Sequence, residues 1–344
     1  MRAPRFWMTE RMGWRAALLM PAAMVYSAVA GQRFRRRPQW RADIPVICVG
    51  NPTVGGAGKT PMAQLVAARL AAMGRRPVFL SRGYGGRCTE PTVVDPERDV
   101  AAQVGDEALI LAGQAPTVVA PDRVAGAKHA RTLGDAIVMD DGFQNPALAK
   151  DLSILVVDSE AGLGNALPLP AGPLRLPLKA QLDRAHAVVL MGEGARAGDV
   201  ESAADRLGRP VLRALLSAEA DVATRLLGRP VIAFAGIGLP EKFFATLRRV
   251  GARPVECRAF GDHHPYSEQE ATELLALSER YDAMLVTTEK DMMRLEGGAG
   301  SLARLAAETM MLPIRAVPQA ASAAALDALL ARTLDRHAAR AQGA

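Results

Sequence analysis

The sequence is short of three features: cysteine, long apolar runs and polar low-complexity tracts. It has 3 cysteines in 344 residues, far apart and without a C-x-x-C pair. This spacing argues against a disulfide framework or a cysteine zinc site, and it fits a reducing compartment. Nearly half of the residues (49%) are apolar, and we expect no long disordered region. The length suits two domains, each able to bury a core.

The longest apolar stretch lies within residues 1–43 and is shorter than the ~20 residues that cross a bilayer. It covers Ala16–Ala30, and the densest cluster of positive residues follows it. A cleaved signal peptide instead has its positive residues before the apolar stretch. Arg15 and Pro21 also disfavour a spanning helix. We predict a helix lying in a membrane interface, with arginines on anionic lipid phosphates; a helix packed on the protein's own surface is the alternative. The arginines that follow the stretch are Arg33, Arg35, Arg36, Arg37 and Arg41.

The most informative stretch, Ile44–Pro61, reads IPVICVGNPTVGGAGKTP. An apolar β-branched run, a glycine-rich turn and a helical pattern opening with Lys-Thr form the context of a phosphate-binding loop. In such a loop Lys59 would reach the β- and γ-phosphates of a nucleotide, and the Thr60 hydroxyl would bind Mg²⁺. Thr53 replaces the first glycine of the usual G-x-x-x-x-G-K-[ST] pattern, and an ordinary βα turn is the alternative. The expected nucleotide contacts are Thr53, Val54, Gly55, Gly56, Ala57, Gly58, Lys59 and Thr60.

From Ile44 onward, β-rich runs alternate with helical patterns. This predicts an α/β fold of the P-loop NTPase type, with a parallel sheet covered on both faces. The alternation restarts near Gly228, which predicts a P-loop domain over residues 44–228 and a smaller α/β domain over residues 229–344. Predicted strands of the first domain are Val46–Val49, Pro77–Leu80, Thr117–Ala120, Ala136–Met139, Ser153–Val157 and Ala187–Met191. Those of the second are Val231–Ala235, Arg253–Arg258, Ala283–Thr287 and Thr309–Ile314.

Three acids occupy positions where ligands bind in open α/β folds. Asp140 and Asp141 end a predicted strand, and in a P-loop protein an acid there holds Mg²⁺ beside the helix threonine. A solvated D-D-G turn is the alternative. Asp106 opens a predicted helix, where an acid either caps the helix or projects toward a ligand at the sheet edge.

Other polar clusters follow predicted strands. His263 and His264 lack a second His or Cys cluster that would complete a metal site, so we favour a proton-relay or orienting role; a surface pair without a role is the alternative. The Ser81–Gly86 loop either places a cationic fork and an aromatic ring near an anionic group or is a flexible turn. We interpret Thr287–Asp291 as a helix cap, with Thr288 as the N-cap.

Together these motifs resemble the tetraacyldisaccharide 4′-kinase family of lipid A biosynthesis. The family's loop also lacks the first glycine, and the motifs occur in the family's order over most of the chain. They are Gly50–Pro61, Ser81–Gly85, Val104–Glu107, Asp140–Gln144, Leu169–Arg175, Phe260–His263 and Thr287–Asp291.

The resemblance implies an ATP- and Mg²⁺-dependent lipid kinase. It would phosphorylate the 4′-hydroxyl of a tetraacylated glucosamine disaccharide 1-phosphate and so make lipid IV-A. Asp106 would act as the base on the sugar hydroxyl, assisted by His263. The implied metal–nucleotide residues are Thr60, Asp140 and Asp141, and the implied lipid contacts are Arg82, Tyr84 and Gln144. Because Asp106 and His263 fall in different predicted domains, we expect domain closure to bring them together.

The resemblance also implies a location at the cytoplasmic face of a Gram-negative inner membrane, attached to anionic lipid through the N-terminal helix. Neither a nucleic acid nor an obligate protein partner is indicated. Two positions depart from the family pattern: Asn145 stands where the family usually has His, and Leu176 where it usually has Glu. Asparagine can hydrogen-bond but carries no proton, and Leu176 removes a carboxylate, so neither position inherits a function.

Two other functions are compatible with parts of the sequence. A regulatory P-loop ATPase or GTPase would use the same loop and acids, but the sequence has no N-K-x-D guanine-reading motif, T-E-K-D being the nearest. A membrane-bound scaffold would leave the phosphate loop unexplained. Dependence of ATP turnover on an acylated disaccharide distinguishes the kinase from the regulatory ATPase or GTPase.

Overall fold

The computed structural model describes residues 4–9 and 12–342 and forms two lobes, each built on one sheet. The large lobe holds a nine-stranded sheet with the order β13-β8-β7-β6-β1-β5-β2-β4-β3, and the small lobe a four-stranded sheet with the order β10-β9-β11-β12. The strands are β1 (Val46–Gly50), β2 (Pro77–Ser81), β3 (Thr92–Val93), β4 (Thr117–Val119), β5 (Ala136–Asp140), β6 (Leu152–Asp158), β7 (Ala187–Met191), β8 (Val211–Ala218), β9 (Pro230–Ala235), β10 (Arg253–Ala259), β11 (Met284–Thr288), β12 (Thr309–Leu312) and β13 (Ile314–Pro318).

Helices cover the sheets, and a short 3₁₀ helix (Arg5–Met8) precedes the first of them. They are α1 (Trp14–Phe34), α2 (Lys59–Ala72), α3 (Ala101–Val104), α4 (Asp106–Ala112), α5 (Arg123–Ala130), α6 (Leu178–Leu182), α7 (Gly198–Arg206), α8 (Ala220–Leu226), α9 (Pro240–Arg249), α10 (Glu268–Tyr281), α11 (Glu289–Leu295), α12 (Gly300–Glu308) and α13 (Ala320–Gln342).

The central strand β1 shows why the inner strands are apolar throughout. Val46 and Cys48 point into one core of the large lobe, and Ile47 and Val49 point into the core on the opposite face. Successive side chains of a strand alternate between faces, so a strand with a core on each side needs no polar position. From β8 to β4 every neighbouring pair of strands is parallel, which confirms the predicted fold class.

The predicted strand Thr309–Ile314 is wrong as a single element, because it is two strands that belong to different sheets. β12 pairs with β11 in the small lobe, whereas β13 pairs antiparallel with β8 at the edge of the large sheet. Pro313 separates them, and proline cannot donate a ladder hydrogen bond. The predicted smaller domain, residues 229–344, therefore includes a strand of the large sheet and helix α13, which contacts β8.

Strand β8 and the short helices α6 and α7 were not predicted. Strand β8 is only partly buried and carries Arg213 and Ser217 among its apolar residues, so it lacks the continuous apolar run that marks the inner strands. Its place in the sheet depends on pairing with β7 and β13, which its own sequence does not encode.

Helix α1 continues through Pro21 and buries few of its residues: Ala16, Ala23, Gly31 and Phe34. Phe34 anchors its end, with its ring centroid 5.7 Å from that of Phe143. None of the helices in the described part of the chain is both long and apolar enough to cross a bilayer.

Candidate active site

The phosphate loop between β1 and α2 opens to solvent at the carboxyl edge of the large sheet. Gly58 has a φ of 82° and directly precedes Lys59, the first residue of α2; a side chain would be strained in that conformation. Val54, Gly55 and Gly56 are exposed, and a Cβ on either glycine would meet no atom of a described residue within 4 Å. The loop thus leaves space beside a helix N-terminus, where anions are stabilised.

Lys59 and Thr60 join the phosphate loop to the acids at the end of β5. The buried Lys59 donates from Nζ to the Gly55 carbonyl at 3.3 Å, and the same Nζ lies 3.9 Å from Asp141 Oδ2. Thr60 Oγ1 donates to Asp140 Oδ2 at 3.1 Å. The structure therefore brings the predicted phosphate and metal residues into one cluster.

Asp140 is a buried carboxylate whose Oδ1 finds no hydrogen-bond partner among residues 4–9 and 12–342. Burial, followed by the negative charge of Glu107, raises the pKa of Asp140 to about 7. An unpaired buried carboxylate is unfavourable unless a cation compensates it. The Asp140 carboxylate and the Thr60 hydroxyl supply the oxygen ligands that Mg²⁺ prefers, and nucleotide phosphates and water normally complete its coordination. These two residues fit the metal.

Asp141, in contrast, forms a bidentate ion pair with Arg175. Both of its oxygens accept from the guanidinium of Arg175, each at 2.9 Å. Burial raises the pKa of Asp141, but the charges of Lys59 and Arg175 outweigh it and hold the pKa below its ordinary value. Arg175 also donates from Nε to the Thr53 carbonyl at 3.2 Å, so Asp141 braces the phosphate loop through this arginine. Sequence reasoning gave Arg175 no role of its own; its P-L-R motif was the available signal.

The residues predicted to contact the lipid occupy two different environments. Arg82 and Tyr84 are exposed on the loop after β2, and the Tyr84 ring lies 5.4 Å from the ring of His263. The buried Arg123, at the start of α5, is close enough to Arg82 for their charges to interact, and sequence reasoning missed it. Burial, then the charge of Arg82, lowers the pKa of Arg123 to about 10. Two cationic side chains, Arg82 and Arg123, therefore lie near each other at this edge of the large sheet.

Gln144 lies inside the protein's own hydrogen-bond network. Its Nε2 donates to the Asn51 carbonyl at 2.9 Å and to Gln181 Oε1 at 3.0 Å. Its Oε1 accepts from Arg175 at 3.3 Å. In this structure Gln144 supports the segment around the phosphate loop.

Asp106 and His263 meet across the boundary between the lobes. Asp106 is the first residue of α4, and its carboxyl group is 3% exposed. Gly105 before it has a φ of 91°, and a Cβ there would lie 2.6 Å from the Tyr84 carbonyl oxygen; only glycine fits between the two loops. His263, in the loop after β10, places Nδ1 3.3 Å from Asp106 Oδ2.

Two cations on helix α11 complete this cluster, and sequence reasoning missed both. Arg294 donates from Nε to Asp106 Oδ2 at 3.0 Å and from Nη2 to the same oxygen. Lys290 Nζ is 2.5 Å from Glu107 Oε1. Burial raises the pKa of Asp106, but the hydrogen bond with His263 and the charges of Lys290 and Arg294 hold it far below its ordinary value. Asp106 is therefore ionised at neutral pH.

The remaining polar motifs are engaged locally. His264 Nε2 lies 2.9 Å from Glu270 Oε1, within the capping box of α10. Thr288 caps α11 by accepting from the Asp291 N–H, which confirms the predicted N-cap. No group of three or more His, Cys, Asp or Glu side chains within residues 4–9 and 12–342 is arranged to hold a metal by itself.

The two departures from the family pattern are accommodated by ordinary packing. Asn145 Oδ1 accepts from the Ala147 N–H at 2.8 Å, a local turn bond of the kind asparagine favours. Leu176 is buried in a core of the large lobe.

A parallel sheet with a glycine-rich loop, a Lys-Thr pair and a strand-end acid at one edge defines a P-loop nucleotide-binding protein. Asp106, an ionised carboxylate, lies at the boundary between the two lobes, and a carboxylate is one of the groups that can accept a proton in phosphoryl transfer. The chain belongs to the tetraacyldisaccharide-1-P 4′-kinase family, whose model matches residues 15–333. It is therefore a kinase.

Individual relatives agree over most of their length. A tetraacyldisaccharide 4′-kinase of Methylobacterium radiotolerans is 54% identical over 296 residues, covering 86% of this chain and 90% of the relative. One from Methylobacterium sp. strain 4-46 is 49% identical over 335 residues, covering 97% and 98%. The crystal structure of LpxK from Aquifex aeolicus in complex with ATP is 26% identical, with a TM-score of 0.72, covering 93% of this chain and 99% of that one.

Proposed function

We propose that this kinase transfers the γ-phosphoryl group of ATP to the 4′-hydroxyl of a tetraacylated glucosamine disaccharide 1-phosphate, producing lipid IV-A. Family membership supports the acceptor and the nucleotide. The observation that carries the chemistry is the buried, ionised Asp106, which lies beside His263 at the sheet edge of the phosphate loop.

Residues of the loop bind and position the nucleotide. The backbone N–H groups of Thr53–Thr60 and the Lys59 ammonium hold the phosphates, and Thr60 and Asp140 hold Mg²⁺. The metal, when bound, neutralises charge that develops on the phosphate oxygens. Arg175 keeps the loop in place through Thr53, and Asp141 orients Arg175. Phosphoryl transfer needs mainly such positioning and charge stabilisation.

Asp106 accepts the proton of the acceptor hydroxyl. As the hydroxyl oxygen bonds to the γ-phosphorus, its proton passes to Asp106, and the bond to the β–γ bridging oxygen breaks with its electron pair leaving on ADP. His263 aligns the Asp106 carboxylate from the small lobe and can pass the proton on. Closure of the lobes around the acceptor would exclude water and protect ATP from hydrolysis. Arg82 and Tyr84 are proposed to contact the lipid from the exposed rim.

An acceptor-dependence assay tests this function. We expect ADP formation with ATP and Mg²⁺ to require tetraacyldisaccharide 1-phosphate, and the lipid to gain the mass of one phosphate. The 1-phosphate disaccharide already carrying a 4′-phosphate serves as the matched control, because its acceptor hydroxyl is blocked. ADP formation at an equal rate without the acceptor would indicate a regulatory ATPase instead.

We further propose that the protein sits at the cytoplasmic face of the inner membrane as a peripheral or monotopic protein, through helix α1. Apolar side chains cover one exposed side of α1; for example, Leu18 is 74% and Val25 66% exposed. Arg33 follows in the last turn, and Arg35, Arg36 and Arg37 extend the charge. An exposed apolar face followed by arginines is typical of helices that lie in an anionic membrane interface.

The double variant Leu18→Glu/Val25→Glu is expected to lose most of its binding to anionic liposomes, because two charges enter the apolar face. Sedimentation with phosphatidylglycerol-containing liposomes measures this. Point variants are preferable to deletion of residues 1–43, since Phe34 is part of the core. Leu227→Glu is the control, because Leu227 is 65% exposed directly after α8 and does not belong to α1. This variant should sediment like wild type. Unchanged sedimentation of the double variant would refute the attachment through α1.

A further inference from the structure

Arg294 of α11 is a buried side chain at the boundary between the two lobes, and the proposed chemistry assigns it no role. It is 8% exposed and directs all three guanidinium nitrogens to partners. Nε and Nη2 donate to Asp106 Oδ2. Nη1 donates to the Gly236 carbonyl at 2.7 Å and to Asp291 Oδ1 at 2.9 Å. The guanidinium therefore links the small lobe to the Asp106 carboxylate of the large lobe.

The position of Arg294 is fixed from within the small lobe. Its partner Asp291 is fully buried and also accepts from the Gly236 N–H at 3.0 Å and from Thr288 Oγ1 at 2.6 Å. A guanidinium held by a carboxylate on one side and a carbonyl beside it has little freedom to turn. Arg294 thus presents two N–H groups to Asp106 in a fixed orientation.

This contact makes the two oxygens of Asp106 chemically different. Oδ2 accepts twice from Arg294 and also lies 3.3 Å from His263 Nδ1, so its lone pairs are occupied. Oδ1 accepts from the Glu107 N–H at 2.8 Å, which leaves one lone pair. A carboxylate oxygen has about two acceptor positions, so Oδ1 is the oxygen that can accept a hydroxyl proton.

We propose that Arg294 is a positioning residue of the phosphoryl-transfer reaction, holding Asp106 ionised with Oδ1 available to the acceptor hydroxyl. The inference rests on the proposed role of Asp106 as the base. Other charges face Asp106 as well: Lys290 from α11, His263 from the loop after β10, and Glu107 on its own helix. Asp291 lies behind Arg294, and Asp262 Oδ1 lies 3.9 Å from His263 Nε2.

The test compares Arg294→Met with Arg294→Lys through the pH dependence of kcat/KM. Without the guanidinium, Asp106 keeps His263 and Lys290 but loses a charge and two hydrogen bonds that offset its burial. Its pKa therefore rises, and the base is protonated at higher pH than in wild type. For Arg294→Met we expect the acidic limb of the profile to move up by about one pH unit or more and kcat to fall at least ~10-fold. Arg294→Lys keeps a charge but loses the fork, so we expect the acidic limb to stay in place while kcat falls.

Arg304→Met is the matched control, because this exposed arginine of the same lobe forms surface ion pairs with Glu279 and Glu308; its profile should equal that of wild type. An Arg294→Met profile with a lower plateau and an unmoved acidic limb would overturn the proposal and leave Arg294 as a structural brace. If Arg294→Met does not fold, Arg294→Lys decides, since wild-type kcat in that variant overturns the need for the fork.

Failure of the proposed function is distinguishable from failure of this inference. Near-normal turnover of Asp106→Asn removes the base itself. An inactive Asp106→Asn combined with an unmoved acidic limb in Arg294→Met removes only the role of Arg294.

Discussion

Replacing Asp106 with asparagine is expected to lower turnover by on the order of 10²–10⁴-fold, the range for loss of a general base. Asparagine matches aspartate in shape but accepts no proton at neutral pH. The phosphate loop does not involve this residue, so the affinity for ATP should change little. Steady-state turnover at saturating ATP and acceptor, together with an ATP titration, measures both quantities.

The Asp106→Asn variant should disturb the neighbouring cations little. Arg294 keeps its partner Asp291 and Lys290 keeps Glu107, so neither cation is left without a carboxylate. Asp199→Asn, which changes an exposed acid in the first turn of α7, is the control and should retain wild-type turnover. Turnover of Asp106→Asn within a few-fold of wild type, with a correctly folded protein, would exclude Asp106 as the base.

The phosphate loop was predictable because its information is local. A β-branched strand, a turn with glycine at the required positive φ and a helix beginning at Lys59 are all encoded in one stretch, Ile44–Pro61. The acids Asp140 and Asp141 were predictable for a related reason: parallel strands end at one edge of a sheet, so strand-end acids gather near the loop. The sequence does not show that the two acids have different partners. Asp140 accepts from Thr60, whereas Asp141 accepts from Arg175.

The contacts between the lobes were not predictable from local patterns. Thr287–Asp291 reads as a helix cap and is one, but the turn that follows carries Arg294 to a carboxylate 188 positions earlier. The pairing of β13 with β8 is equally non-local. Periodicity reports which face of an element is buried, not which distant element covers it. Two of the site residues that sequence reasoning missed, Lys290 and Arg294, therefore lie where the two lobes meet.

Asp140 and Asp141 lie in different environments, which predicts different effects for their asparagine variants. Asp140 accepts from the Thr60 hydroxyl at Oδ2, and its buried Oδ1 has no partner in the described part of the chain, whereas both oxygens of Asp141 accept from Arg175. Asp140→Asn is expected to lower turnover by on the order of 10²–10³-fold, as for removal of a group that stabilises transition-state charge. Asp141→Asn should mainly weaken ATP binding, because it loosens Arg175 and with it the phosphate loop.

Thermal unfolding with and without Mg²⁺ and ATP separates these roles independently of turnover. A ligand that binds only the folded state raises the unfolding temperature, and this rise disappears with the ligand's binding site. We expect the increment due to Mg²⁺ to vanish in Asp140→Asn and to persist at higher ATP concentration in Asp141→Asn. Asp135→Asn is the control. Asp135 directly precedes β5, at the end of the strand away from Asp140, and accepts from the Arg76 N–H. A Mg²⁺ increment that is lost in Asp141→Asn and kept in Asp140→Asn would reverse the assignment and place the metal on Asp141. Arg175 would then have to leave Asp141 whenever the nucleotide binds.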